Sequence, residues 1–176
     1  MQQFASELNN KKVFSFHSGH TVGTVTSFMV NKETLKVELL EVLEPENNER
    51  LYLLTGDVRS ATNNLIIINS ESDMSESEDL IRQQELIKSK FNLIGSKVVT
   101  QEGKLLGRVK DFTVDYDSFL TSKLHIRGSL IKRLLNESFI IDRSQIVDVK
   151  DNKVIVKSTA IKNKQKSTNV LPAKAT

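Results

Sequence analysis

The chain has 176 residues, of which 38% are hydrophobic and 27% charged. That length holds one ordinary domain or two small ones, and the mixture is that of a globular protein rather than a low-complexity chain. Cysteine is absent, which excludes disulfides, thiolate metal sites and thiol catalysis together.

No apolar run nears the ~20 residues that a bilayer-spanning helix needs, so no membrane span is expected. Residues 1–12 lack the apolar stretch of a secretion signal, so the expected location is cytoplasmic. Net charge is +3, but its distribution matters more. Residues 157–176 hold five lysines and no acid, which leaves the body of the chain slightly acidic. A protein that wraps nucleic acid as its main task has a broader positive field.

Residues 11–69 open with an internal repeat. The run Gly19-His20-Thr21-Val22-Gly23-Thr24-Val25-Thr26-Ser27-Phe28-Met29-Val30 matches Gly103-Lys104-Leu105-Leu106-Gly107-Arg108-Val109-Lys110-Asp111-Phe112-Thr113-Val114, 84 positions on. The register holds to Val42 and Ile126, then shifts to 88. There Leu51-Tyr52-Leu53 meets Phe139-Ile140-Ile141, and Ile66-Ile67-Ile68 meets Val154-Ile155-Val156. Two copies are too few for a solenoid, so duplicated small domains are expected.

Each copy reads as strands, with apolar residues alternating toward one face at Leu40 and Val42 and again at Leu124 and Ile126. Val25, Phe28 and Val30 are spaced three then two, and so are Val109, Phe112 and Val114. One extra residue in each strand, a β-bulge, returns all three to the core and bends the strand, as a small barrel requires. Gly19 and Gly103 suit turns with positive φ, whereas Gly23 and Gly107 suit bulges or close backbone approach. The polar breaks at residues 31–34 and 115–118 predict hairpin turns.

Residues 70–90 begin with five acids and no base. Ser75 followed by Glu78 has the pattern of a capping box, and lysines close the stretch, so a single helix of about three turns is predicted as a connector. Residues 91–157 hold the second copy. Residues 158–176 are basic and aperiodic, and a disordered tail is expected.

The second copy opens Leu93-Ile94-Gly95-Ser96-Lys97-Val98-Val99, continues through Gly103-Lys104-Leu105-Leu106-Gly107-Arg108-Val109 and closes on Phe139-Ile140-Ile141-Asp142-Arg143 and Val154-Ile155-Val156. It closely resembles a PRC-barrel domain. That family occurs in the photosynthetic reaction centre H subunit and at the C-terminus of the ribosome maturation factor RimM family. Through the internal repeat the whole chain resembles a tandem PRC-barrel protein. The resemblance implies a mainly β fold, two small, strongly bent β-barrels joined by one α-helix, and a non-catalytic interaction module. A reaction-centre subunit needs a membrane helix, and a RimM-like chain begins with a different barrel.

His17 and His20 flank Gly19 in a turn without enough converging ligands for a metal. His125 reads as a surface strand residue. Asp115-Tyr116-Asp117-Ser118 puts two acids two apart, but the further ligands of a calcium loop do not follow. Asp111 and Asp142 have no pocket in which to act as acid and base. Catalytic, cofactor and metal residues are therefore expected to be none.

The second copy has four extra residues, which fall in a loop at Ser129–Leu135. Arg127 precedes this loop, and Leu130, Ile131, Lys132 and Arg133 lie within it. These five are the expected partner-binding residues. The reading is a cytoplasmic adaptor for a protein partner, with a homodimer left open. The alternative is a ribosome-assembly or RNA-processing factor that contacts RNA through the second copy and the tail, since cations on phosphate give affinity without sequence choice.

Overall fold

A computed structural model describes residues 1–128, 138–150 and 152–158. Leu130, Ile131, Lys132 and Arg133, and the predicted disordered tail beyond residue 158, lie outside the described residues.

The fold is mainly β. The first half contributes β1 (Gln2–Phe4), β2 (Lys12–Ser15), β3 (Thr21–Val30), β4 (Val37–Leu43), β5 (Arg50–Leu54), β6 (Val58–Ala61), β7 (Leu65–Ile68) and β8 (Met74–Ser75). A short helix, α1 (Gln84–Lys88), precedes β9 (Lys97–Thr100), β10 (Leu105–Asp115), β11 (Thr121–Gly128), β12 (Ser138–Asp142), β13 (Ile146–Lys150) and β14 (Lys153–Val156). One sheet runs β6-β7-β2-β3-β4-β5-β8. The other runs β12-β11-β10-β9-β14-β13, with β1 added along β10.

The two strand orders correspond element by element, down to one parallel pair in each sheet, β2 with β7 and β9 with β14. The spacing-based bulge is present in both. Val25 faces Val42 while Ser27 faces Glu41, which leaves Thr26 extra. Val109 faces Ile126 while Asp111 faces His125, which leaves Lys110 extra. The extra residue brings the Phe back to the inner side and sharpens the strand's twist.

Gly103 has φ 84°, the left-handed turn expected of it. Gly107 lies so close to β11 that a Cβ would strike the carbonyl of Arg127.

Closure into two barrels, each over its own interior, is not seen in the pairing of the described residues. Both sheets are open paths, and one is a curled half-barrel. The reason lies in the core. Val13, Val25, Leu40 and Ile66 of the first half belong to one continuous hydrophobic cluster with Val98, Phe112, Leu124 and Val154 of the second. Apolar residues of both halves are thus buried in one cluster rather than in two separate interiors.

The contact is two-fold in its pattern. Val37 N–H donates to Phe119 O at 2.9 Å, and Thr121 N–H donates to Leu35 O at 3.0 Å. These four residues match at the 84-residue offset. Leu35 and Phe119 have φ 54° and 57°, which is strained for side chains of this size, yet both are buried. Burial of each side chain at the contact offsets its backbone cost. Phe28 and Phe112 also meet, edge to face, with centroids 5.9 Å apart.

The predicted three-turn helix is replaced by short 3-10 turns and five residues of α-helix. Leu80 turns out of helical geometry, with φ −88° and ψ 62°, and is buried. A helix this short gains little from its own hydrogen bonds, so burial of Leu80 and Met74 prevails. Ser75 pairs with Tyr52 in β8 instead of capping a helix. The capping box forms five residues earlier, between Ser70 and Asp73.

Candidate functional site

The outer face of the second sheet carries Arg127, the one expected partner-binding residue that lies among the described ones. Alternation along β11 turns Leu124 and Ile126 inward and Lys123, His125 and Arg127 outward. Cross-strand registers then fix the neighbours. Lys123 lies between Thr113 and Asp142, His125 between Asp111 and Ile140, and Arg127 between Arg108 and Ser138. β1 adds Phe4 opposite Thr113.

The centre of this face is ordered and partly dry. The Phe4 and His125 rings meet edge on at 4.9 Å. His125 Nε2 shares a hydrogen bond with Thr113 Oγ1 at 2.9 Å. Asp111 accepts from Ser6 N–H at 3.3 Å and Ser6 Oγ at 2.5 Å. Burial under Phe4 pushes the His125 imidazole below its ordinary pKa; Asp111 opposes this, while Lys123 and Lys110 reinforce it. His125 is thus the surface strand residue expected of it, half-covered by Phe4. Phe4 and Ile140 remain 42% and 45% exposed. The result is an apolar and aromatic strip bordered by Lys123 and Arg127.

These strands lie in a stretch matched by a known family. A PRC-barrel domain is found at residues 89–162. The match encloses the motifs that resemble that family and stops short of the first half. No curated protein matches the chain.

Two other acids of the PRC-barrel domain, Asp115 and Asp142, serve local structure. Asp115 Oδ1 accepts from Asp117 N–H and Ser118 N–H, both at 3.1 Å. These bonds, Ser118's first, hold its carboxyl below the usual range. This is the predicted hairpin turn. Asp142 caps a 3-10 turn by accepting from Ser144 N–H and Oγ, at 2.9 and 2.7 Å, and its pKa is lowered by the same bonds. In the first half, His20 Nδ1 pairs with Ser18 Oγ at 3.2 Å. Among the described residues, no three histidines or acids converge as a metal would require.

Two features escaped the sequence reading. Residues 1–8 were assigned to no domain, yet β1 joins the PRC-barrel sheet, and Ala5 and Leu8 are fully buried in the shared core. Three apolar residues in this segment, Phe4, Ala5 and Leu8, were the available signal. Lys11 is 3% exposed and reaches the carbonyls of Thr62 and Asn63. Its ammonium lies 5.1 Å from the Tyr116 ring centroid, so the first half is tied to the PRC-barrel domain through a cation–π contact. Burial lowers the Lys11 pKa, with Glu7 opposing.

Two grooves open beside the hairpin at residues 31–36. One, of about 250 Å³, lies between the halves and is lined by Leu35, Arg143 and Val149. Arg143 closes its end by donating to Thr34 O at 2.7 Å. The other, of about 260 Å³, runs between β3 and the linker.

Proposed function

We propose that the chain is a non-catalytic cytoplasmic interaction protein, in which a diverged PRC-barrel-like first half braces the PRC-barrel domain and the outer face of that domain binds a protein partner. The observation that carries this reading is the strip of Phe4, His125 and Ile140. An apolar and aromatic centre inside a polar, cationic border is the composition of a protein-binding patch. The matching strand orders support the view of the first half as a relative of the second. The expected partner residues Leu130, Ile131, Lys132 and Arg133 follow Arg127 in the sequence.

The test is affinity capture with the intact chain, with and without nuclease, comparing wild type with Phe4→Asp, Ile140→Asp and Arg127→Glu. A protein partner survives nuclease and moderate salt, and is lost with either Asp substitution. The RNA reading expects the opposite: loss on nuclease treatment, a steep fall with salt, and greatest sensitivity to Arg127→Glu.

A further inference from the structure

We propose that the outward-facing main chain at residues 30–32, where β3 ends and the hairpin begins, is a strand-addition site for an extended peptide of a protein partner. This rests on the reading of the chain as a protein-binding module. The main-chain directions come first. Asn31 N–H donates to Lys36 O at 2.9 Å, so residue 31 faces β4. Alternation turns the main-chain groups of Val30 and Lys32 the other way. Val30 lies opposite Val37 of β4; on the other side β2 is in register with β3 only through Thr24, and no main-chain bond of Val30 or Lys32 is found on that side among the described residues.

The second half shows what such an edge accepts. Asp115 N–H donates to Leu120 O at 3.0 Å, so Val114 and Tyr116 face outward in the same sense. There β1 is seated, antiparallel. Gln3 lies opposite Val114, and Tyr116 N–H donates to Met1 O at 2.8 Å. Val114 and Tyr116 are the residues 84 positions beyond Val30 and Lys32. One edge is filled by a three-residue strand, and its counterpart opens on the groove beside the linker.

The groove also indicates side chains. Val30, Leu86 and Phe91 are the apolar residues of its lining, so an apolar side chain of the peptide would meet them. Asp117, which holds the Met1 ammonium at 3.0 Å, corresponds to Glu33. Glu33 lines the groove and has no ion pair among the described residues. The occupant is thus an extended segment with one apolar residue and a Lys, Arg or free amine opposite Glu33. Main-chain bonds supply affinity in this mode, and the two side chains supply choice.

The probe is a linear random-peptide phage library panned on the intact chain, followed by synthesis of the enriched peptide. Lys32→Pro removes an edge N–H at the first corner of a turn, where proline is well tolerated. Leu86→Arg crowds the groove, and Glu33→Lys reverses the charge. The expected result is a cationic, apolar consensus whose affinity falls at least tenfold with each variant, with slowed hydrogen exchange at Val30 and Lys32 when bound. Three results would overturn the proposal: no enriched peptide; an enriched peptide indifferent to all three variants; or a dimer that Lys32→Pro converts to monomer, which would assign the edge to a second copy. An indifferent peptide displaced by Ile140→Asp would sink the edge while leaving the protein-binding reading intact.

Discussion

Over residues 113–115, β10 runs beside a third strand, β1, whereas Val30 and Asn31, which match Val114 and Asp115, line a groove. At the opposite edge the difference reverses. β5 is covered by β8 at Tyr52 and Leu53, while the matching β12 exposes Ile140. The interior pairing is the same in both halves, and so is the hairpin contact that joins them. What differs is the chain between and before the halves, which covers one edge in each. Sheets of matching strand order that share a core have little freedom to vary inside, so differences fall on edges and outer faces, where a backbone or an apolar side chain still lacks a partner.

Phe28 and Phe112 test this comparison most severely. They occupy matching positions and touch, but Phe112 is fully buried while Phe28 is only partly so. Phe112→Ala is expected to cost about 3–5 kcal/mol, as for a large ring removed from a close-packed core. Phe28→Ala should cost roughly half of that, because less area leaves water on folding. Urea unfolding monitored by circular dichroism measures both. Equal losses would mean that the two halves share the core evenly.

Gly107 and Gly23 give the next largest contrast. A methyl group at Gly107 meets the backbone of Arg127 and Gly128, which cannot move without disturbing the β10–β11 pairing. At Gly23 the nearest atom is a side-chain methyl of Val42, although Leu43 O also lies at 3.1 Å. Gly107→Ala should therefore destabilise by about 2–3 kcal/mol, and Gly23→Ala by roughly 1 kcal/mol or less. The same unfolding experiment ranks them.

The strap formed by residues 1–8 offers a third contrast, because it closes only one edge. Leu8 is fully buried, and Leu8→Ala should cost about 2–4 kcal/mol if the strap is integral to the core. Phe4→Ser, at a half-exposed site, should change stability by less than about 1 kcal/mol. It should nevertheless speed amide exchange in residues 113–116, which mass spectrometry resolves.

How far these features could be read in advance follows from how local they are. The bulges at Thr26 and Lys110 were legible because the Val, Phe and Val spacing breaks period two within six residues. The hairpin turns and the glycine at the β10–β11 approach were legible for the same reason, and the PRC-barrel motif lay in one contiguous stretch. The shared core was not, since nothing in a pattern of alternation says which sheet an apolar face will meet. The linker misled because Ser75 and Glu78 satisfy a local helix signal, whereas Leu80 and Met74 answer to a core formed elsewhere. Likewise, the surroundings of Arg127 and His125 depended on β1, which joins β10 from more than a hundred residues away.

His125 carries the smallest effect and the most specific one. It occupies the position matched by Glu41 in the first sheet, so its covering by Phe4 belongs to one half alone. Its folded pKa lies below the ordinary 6.5 chiefly because burial disfavours the imidazolium. On acidification the unfolded chain therefore takes up the proton first. Stability should be fully present above about pH 6.5, decline as pH falls through the folded pKa, and then level off. The slope lies above the range in which Asp115 and Asp142 titrate, since those carboxyls are lowered. His125→Gln retains a polar group near Thr113 but cannot titrate, so thermal unfolding between pH 7.5 and 5.5 should lose this part of its pH dependence. Phe4→Ser should reduce the slope without abolishing it, because exposure of the ring returns its pKa toward the unfolded value. A slope unchanged in both variants would show that Phe4 does not keep water from His125, and that the strip offered to a partner is not the half-covered surface these contacts describe.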